Sequence, residues 1–308
     1  MKKKVIITGA TSYIGIALIN LLVAKEAYEI CAIIRPKSKR INYIAKSDTV
    51  RLVECDLGSL DTVVLPQQQY DELYHIGWSS DFSNGRDNYE GQLDNLQYCT
   101  KAVQLAYRYH CTTFLGIGSQ AECGRISDRI TTDTATHPEN AYGIVKCKAY
   151  EQTRYLCEKY GMKQCWPRLL SAYGPYEREQ TLISSCINAC HKKKDIELTP
   201  CEQIWDYIHV YDVAEALLRI VECGNHGIRY PIASGAGQPL KEYINIISEV
   251  GQYPHLLNGI GKKQYSDKQV MYLCGDISEL TRDTGFIPRV TFASGIKEIF
   301  MLRKRGRL

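Results

Sequence analysis

The sequence lacks any run of about 18 uncharged apolar residues, the length that a membrane-spanning helix requires. The short run VII after MKKK is interrupted at once by TGATS, so it does not form the core of a secretory signal. No internal repeat and no low-complexity linker divides the chain. We therefore expect neither a membrane segment nor a repeat array.

The sequence also lacks CxxC pairs, although it contains 13 cysteines. An odd number of scattered cysteines is not typical of a disulfide framework, and a zinc site requires clustered ligands that do not occur here. We expect buried thiols in a reducing cytoplasm and no metal. The net charge of +4 over 308 residues is too small to indicate a nucleic-acid partner, and the basic end LRKRGRL is interpreted as a solvated tail.

Strand-like runs alternate with helical patterns over the first 170 residues. Such alternation predicts a parallel sheet that helices cover on both faces. After residue 170 the elements become shorter, which indicates a second, smaller region, although DYIHVYDVAEALLRIVE again has a strand followed by a helix. The predicted strands are KKVIIT, YEICAIIR, VRLVECDL, DELYHIGW, TTFLGIG and KQCWPRLL, and the helical patterns are ALINLLVAKE, NYEGQLDNLQYCTKAVQLAYRYH and NAYGIVKCKAYEQTRYLCEKYG.

The segment TGATSYIG, at residues 8–15, joins the first strand to the first helix, which is where a dinucleotide fingerprint occurs. Gly9 permits a tight turn, and Gly15 permits close packing of the helix on the strand. Ser12 stands where a middle glycine is usual, and its hydroxyl can donate to a phosphate. The free N–H groups at the helix start favour a pyrophosphate. The alternative is an ordinary strand–helix turn that contains two glycines.

The end of the second strand favours NADP(H) over NAD(H). NAD sites usually have an acidic residue there, about 20 residues after the glycines, whereas this chain has Arg35 followed by a basic loop. A guanidinium suits a 2′-phosphate, and Pro36 keeps Arg35 extended. The alternative is a solvated basic loop. Asp56, after the third strand, is interpreted either as a partner of the adenine amine or as a helix cap.

Tyr142 and Lys146 form a YxxxK pair, and this spacing places both side chains on one face of a helix. An ammonium beside a phenol lowers the phenol pKa, so such a tyrosine can exchange a proton with a sugar hydroxyl while a nicotinamide exchanges hydride. Lys146 can also hold the nicotinamide ribose. Ser119, in GIGSQAECG after another strand, completes a set of three catalytic candidates.

Together these motifs resemble the extended short-chain dehydrogenases/reductases of the nucleotide-sugar epimerase/dehydratase type. The similarity runs from TGATSYIG through GSQAECG, YGIVK and PRLLSAYGP to WDYIHVYDVAEAL. It implies that Ser119, Tyr142 and Lys146 form the catalytic triad, with Ser119 bonded to the substrate oxygen. It also implies that the chain is a homodimer, as members of this family often are.

The resemblance also implies an α/β fold with two unequal parts. We expect a Rossmann domain, a doubly wound parallel sheet, and a smaller C-terminal α/β substrate domain. We place the dinucleotide-binding domain at residues 1–170, with 205–225 returning to it. Residues 171–308 are expected to form most of the substrate-binding domain.

The motifs and the resemblance give two sets of expected binding residues. For the cofactor these are Gly9, Thr11, Ser12, Tyr13, Ile14, Gly15, Arg35, Ser38, Asp56, Leu57, Ile76, Gly77, Trp78, Tyr142, Lys146 and Leu169. For the nucleotide-sugar substrate these are Ser119, Gln120, Ser171, Arg178 and Trp205.

The residues after Ser119 differ from those of sugar-nucleotide 4,6-dehydratases. Those enzymes resemble STDEVYG at this point, with an Asp and a Glu that transfer protons during the loss of water. Here Gln120 and Ala121 take those two places, and neither can titrate. Loss of water is therefore not expected, whereas oxidation or reduction at a sugar carbon remains.

Two further departures concern substrate recognition. The family often has an arginine in an RDFIHV-like segment, where it binds the substrate diphosphate, and this chain has Trp205 in that place. Trp205 either stacks on the ligand or belongs to the core, and Arg178 is then the candidate for the phosphates. The usual Asn of RxxNVYGP is replaced by Ser171.

The expected function is reduction of a 4-keto-6-deoxy-sugar nucleotide in polysaccharide biosynthesis, with NADP(H) preferred and NAD(H) as the alternative cofactor. An exchangeable NADPH fits a reductase. The alternative enzyme is a nucleotide-sugar epimerase that retains NAD(H). A non-catalytic NADP-binding sensor is disfavoured because all three triad residues occur. His75 and His209 are expected in the core.

Overall fold

The computed structural model describes residues 2–79 and 83–306, with the backbone alone at Ser83 and Asn84. All site residues predicted from the sequence fall within these ranges. The last two residues of the basic tail LRKRGRL lie outside the described residues.

Short strands and longer helices alternate along the described chain. The strands are β1 (Lys3–Thr8), β2 (Tyr28–Ile34), β3 (Val50–Glu54), β4 (Glu72–His75), β5 (Thr113–Gly116), β6 (Gly118–Ser119), β7 (Lys163–Cys165), β8 (Arg168–Leu169), β9 (Ser171–Tyr173), β10 (Ile204–Trp205), β11 (Tyr207–His209), β12 (Pro231–Ile232), β13 (Gln238–Pro239) and β14 (Tyr272–Leu273). The α-helices are α1 (Tyr13–Ala24), α2 (Tyr89–Arg108), α3 (Ala141–Tyr160), α4 (Leu182–Lys192), α5 (Val210–Cys223), α6 (Leu240–Val250), α7 (Ser278–Thr284) and α8 (Phe292–Lys304). Single 3-10 turns lie at Ile41–Tyr43, Leu57–Ser59, Ser83–Arg86, Gln120–Glu122 and Pro254–Gly259.

The main sheet has six strands in the order β3-β2-β1-β4-β5-β7, and every pairing in it is parallel. This is the arrangement of a doubly wound fold, in which ligands bind where the strand order reverses. Along β1, Val5 and Ile7 enter one core and Ile6 enters the other. Both faces of the sheet are therefore buried, which confirms the predicted α/β Rossmann fold.

Pairs of helices cover the two faces of the main sheet. Helices α1 and α5 pack together on one face, and α2 and α3 pack together on the other. The segment that was expected to return to the first domain includes α5, whose Val213 and Leu217 share a core with Val5. The exact domain boundaries stay a prediction.

The second part of the chain has its own core. Helices α4, α6 and α8 contribute Ile187, Ile244 and Ile296 to it, and the short strands β10, β13 and β14 form a separate three-stranded sheet. These three helices were not predicted from the sequence. Each is only 11–13 residues long, and their packing partners come from distant segments.

All 13 cysteines are free thiols, and ten of them are buried. Burial raises the pKa of most of these thiols, for example that of Cys99 to about 12. Within residues 2–79 and 83–306, no helix is long and apolar enough to cross a membrane. The same residues contain no group of metal-ligating side chains.

Candidate active site

The turn between β1 and α1 is built on close backbone contacts. Gly9 has φ +66°, and a Cβ there would lie 2.5 Å from the nitrogen of Gly77 at the end of β4. A Cβ at Gly15 would lie 2.4 Å from the Gly9 carbonyl oxygen. Ser12 caps α1, because its Oγ accepts a hydrogen bond from the Gly15 N–H at 3.0 Å.

The same turn faces the substrate half of the chain. Thr11 and Tyr13 are half-buried, and Ile14 is buried. The Tyr13 hydroxyl donates to the Ala172 carbonyl in β9 at 3.5 Å. A helix N-terminus with glycines that admit close approach fits the pyrophosphate of a dinucleotide, so these residues fit the expected cofactor.

Residues that follow β4 and β3 lie beside the turn between β1 and α1. Ile76 is half-buried, and Leu57 Cδ2 would lie 2.8 Å from a Cβ on Gly77, so these two segments are in direct contact. Asp56 is exposed and forms no side-chain cap on the following 3-10 turn. The structure therefore does not support the helix-cap interpretation of Asp56.

The basic loop after β2 contacts the loop after β9. Arg35 is exposed, and Ser38 Oγ accepts from the Arg40 N–H at 3.4 Å. The Arg40 guanidinium donates to the carbonyl oxygen of Tyr176. Burial, together with the nearby Arg178, lowers the pKa of Arg40. The structure thus places Arg178 near the basic loop after β2, a proximity that the sequence did not predict.

Ser119 lies in a turn that a buried carboxylate holds. Ser119 Oγ accepts from the Ala121 N–H at 3.2 Å, so its own proton is available to another acceptor. Glu122 Oε1 accepts from the Ser119 N–H at 2.9 Å and from Trp166 Nε1 at 3.1 Å. Its Oε2 accepts from Arg168 Nε at 3.3 Å, and the side chains of both ionic partners are 0% exposed.

Tyr142 and Lys146 project from the first turns of α3, as their spacing predicts. Lys146 Nζ lies 5.5 Å from the centre of the Tyr142 ring and donates to the Ile117 carbonyl at 2.6 Å. It also lies 3.4 Å from the centre of the Trp78 ring, which is nearly perpendicular to the Tyr142 ring with the two ring centres 5.8 Å apart. Trp78 Nε1 in turn donates to Gln92 at 2.9 Å. A cation over an aromatic face is stabilised, so Trp78 orients Lys146.

Helix α3 is pressed against the Ser119 turn. A Cβ on Gly143 would lie 2.3 Å from the Ala121 carbonyl oxygen, so only glycine permits this contact. Ser119 itself is fixed laterally by β8, where Leu169 is its register partner. The structure therefore packs the start of α3, which carries Tyr142 and Lys146, against the turn that carries Ser119.

Arg86 is a neighbour of Tyr142 that sequence analysis missed. Its guanidinium carbon lies 4.5 Å from the centre of the Tyr142 ring. It ends the 3-10 turn Ser83–Arg86, in the connection between β4 and α2. No periodicity or motif marks this segment, so the sequence carried no signal for it.

Ser171 and Trp205, the two residues that differ from the usual family residues, are in direct contact. Trp205 Nε1 donates to Ser171 Oγ at 2.8 Å. Trp205 also lines a cavity of about 260 Å³. Its other lining residues are Leu182, Glu197, Leu198, Thr199, Cys201, Gln203, Tyr207, Leu240, Lys263 and Gln269.

The two strand histidines are buried, as expected. His75 Nδ1 is 2.8 Å from Thr8 Oγ1, and burial lowers its pKa to about 3. Burial likewise lowers the pKa of His209 to about 4. Both are neutral near pH 7, which agrees with a place in the core.

A model of the NAD dependent epimerase/dehydratase family matches residues 5–233. A dTDP-glucose 4,6-dehydratase of Mycobacterium tuberculosis is 24% identical over 75% of this chain and 72% of its own length. A GDP-6-deoxy-D-mannose reductase of Pseudomonas aeruginosa is 24% identical over 69% of this chain and 70% of its own. A CDP-abequose synthase of Salmonella muenchen is 23% identical over 99% of both chains.

Solved structures share the fold at low identity. A UDP-N-acetylglucosamine 4-epimerase of Methanobrevibacter ruminantium, bound to UDP-N-acetylmuramic acid, has a TM-score of 0.86 at 18% identity and covers 98% of this chain and all of its own. RMD of Pseudomonas aeruginosa, complexed with NADPH, has a TM-score of 0.82 at 20% identity and covers 97% of this chain and 98% of its own. At these identities the likeness shows the fold alone.

Proposed function

Because the chain belongs to the NAD dependent epimerase/dehydratase family, we propose that it reduces a 4-keto-6-deoxy sugar linked to a nucleotide, with NADPH as the reductant. The dehydratase, reductase and synthase relatives are enzymes of nucleotide sugars. Loss of water requires an acid and a base beside the sugar that reduction of a ketone does not require, so the choice between dehydratase and reductase depends on the residues after Ser119.

The state of Glu122 is the observation that carries the proposal. Gln120 and Ala121 cannot transfer protons, and Glu122 is the one carboxylate in the fully described turn 118–124. Both of its oxygens are already bonded, to Ser119 N–H, Trp166 and Arg168. An engaged, buried carboxylate cannot reach a sugar carbon, so the turn lacks the acid–base pair that the loss of water requires.

The remaining groups suffice for reduction of a ketone. When bound, the reduced nicotinamide supplies the hydride that turns the ketone carbon into a secondary alcohol carbon, and is left oxidised. Tyr142 donates the proton that the sugar oxygen gains. Ser119 donates a hydrogen bond to the same oxygen, and Lys146 stabilises the phenolate that remains.

Basic residues support NADPH as the exchangeable cofactor. Arg35 stands exposed after β2, and Arg40 is turned toward the Tyr176 loop. Both can donate to the 2′-phosphate that distinguishes NADPH from NADH. The cavity beside Trp205, on the substrate side of Ser171, is the proposed place of the nucleotide base.

The proposal is tested by mixing the purified chain with NADPH and a panel of 4-keto-6-deoxy-sugar nucleotides. We expect one NADPH to be consumed for each sugar reduced, and slower consumption with NADH. Interconversion of two sugar nucleotides with no net loss of NADPH would instead establish an epimerase. Release of a 4-keto-6-deoxy product from a hexose nucleotide would contradict the exclusion of the dehydratase.

A further inference from the structure

Arg86 lies over the ring that carries the proposed proton donor. Its guanidinium carbon is 4.5 Å from the centre of the Tyr142 ring, at the end of the turn that connects β4 to α2. Trp78 packs against the same ring in a T-shaped arrangement, and Lys146 Nζ lies 5.5 Å from the ring centre. A sugar held at the Tyr142 hydroxyl therefore presents its neighbouring substituents to this group of side chains.

One donor of Arg86 has no acceptor among the described residues. Its Nε is buried without a hydrogen-bond partner within residues 2–79 and 83–306. A guanidinium carries five N–H donors and keeps its charge at any physiological pH. Leaving such a donor buried and unbonded is unfavourable, so the site is built for an acceptor that arrives with the ligand.

The bound sugar limits which acceptor this is. In the proposed reaction the keto oxygen already receives hydrogen bonds from Ser119 and Tyr142, which occupy its two lone pairs. A 4-keto-6-deoxy sugar has carbon 3 and carbon 5 beside the ketone. Of these, only carbon 3 carries an exocyclic oxygen, since the substituent of carbon 5 is a methyl group.

We propose that Arg86 is a substrate-binding residue that donates to the 3-hydroxyl oxygen of the keto sugar. This inference rests on the proposed reductase function and adds a substrate class to it, namely keto sugars that retain oxygen at carbon 3. A site built to bond an oxygen rejects the analogue that lacks it, because its donor is then left unpaired. The chain therefore selects 3-hydroxy over 3-deoxy substrates.

The test compares wild type and one variant on two substrates. The substrates are a 4-keto-6-deoxy-sugar nucleotide and its 3-deoxy counterpart, and the variant is Arg86→Met. Wild type is expected to prefer the 3-hydroxy substrate by about 10- to 100-fold in kcat/KM, the range for a hydrogen bond to a charged group. R86M should lose that preference, because it slows the 3-hydroxy substrate and leaves the 3-deoxy substrate within about twofold.

A matched control is Arg229→Met. The guanidinium carbon of Arg229 lies 4.7 Å from the centre of the Tyr150 ring, so Arg229 has the same stacked geometry over a tyrosine that has no proposed role in the reaction. R229M should keep the wild-type preference. The Kd for NADPH should be unchanged in both variants, which separates a substrate contact from a disturbed cofactor groove.

The outcomes separate this inference from the proposed function. If wild type turns over neither keto sugar, the reductase proposal fails. If wild type turns over both substrates and R86M slows them equally, Arg86 serves another group, such as the diphosphate, and the inference is overturned. Equal wild-type rates on the two substrates would overturn it as well.

Discussion

The cofactor half and the substrate half of the candidate site are built by different means. Around the cofactor groove, glycine backbone decides the shape, since a Cβ at Gly9 or Gly15 would lie within 2.5 Å of main-chain atoms. Around the proposed substrate positions, side chains from distant segments meet, as when Trp205 donates to Ser171. The first half follows from local sequence, whereas the second depends on tertiary structure.

This contrast explains what the sequence could predict. The strands of the main sheet, the dinucleotide turn and the YxxxK face arise from short-range patterns, and the structure has them where they were expected. Arg86 beside Tyr142 and Arg178 beside Arg40 join segments about 56 and 138 residues apart. No local pattern encodes such contacts.

The buried partner of Ser119 was missed for a related reason. Glu122 follows Gln120 and Ala121 in the sequence and could be taken for a free acid. Its carboxylate accepts hydrogen bonds from Trp166 and Arg168, which follow α3 in the sequence. Only the fold shows that this carboxylate positions the turn.

The largest expected effect separates chemistry from cofactor binding. Tyr142→Phe should lower kcat about a thousandfold, because it removes the proposed proton donor and leaves the ring in place. The Kd for NADPH, measured by fluorescence titration, should stay within about threefold of wild type. A variant that keeps a tenth of the wild-type kcat would show that another group supplies the proton.

The second prediction concerns the buried ion pair under Ser119. Glu122→Val should lower the free energy of unfolding by about 3–5 kcal/mol, because Arg168 is then buried without its partner. The double variant E122V/R168M should recover much of that stability in urea unfolding. Its kcat should nevertheless stay low, because the Ser119 N–H has lost its acceptor. Recovery of both stability and kcat would mean that Glu122 only neutralises Arg168.

Arg35→Ala should weaken binding of the cofactor and leave kcat unchanged, whereas Tyr142→Phe should do the reverse. The Kd for NADPH should rise about tenfold, since a charge-assisted contact to the 2′-phosphate is lost, while the Kd for NADH stays unchanged. The kcat at saturating NADPH should remain near wild type. Lys39→Ala, in the same exposed loop, is the control. An equal loss for NADPH and NADH would contradict a role in recognising the 2′-phosphate.

The last prediction is a pH dependence of stability in the substrate half. Burial raises the pKa of Glu177, in the loop after β9, to about 8. The folded state then holds a proton that the unfolded state releases above about pH 4.5, so stability falls as the pH rises from about 4.5 to 8. Urea unfolding at pH 5 and pH 8 should show this loss in wild type and not in Glu177→Gln. The same slope in both would place its origin elsewhere.

The central claim is that the site performs a net reduction of a sugar ketone. Transfer of deuterium from NADPH labelled at carbon 4 of the nicotinamide, with each stereoisomer tested in turn, measures this directly by mass spectrometry of the sugar. We predict that one of the two labelled forms gives a sugar nucleotide with a single deuterium on the former ketone carbon, and one oxidised cofactor per product. A product without deuterium from either form, or turnover without net oxidation of NADPH, would contradict it.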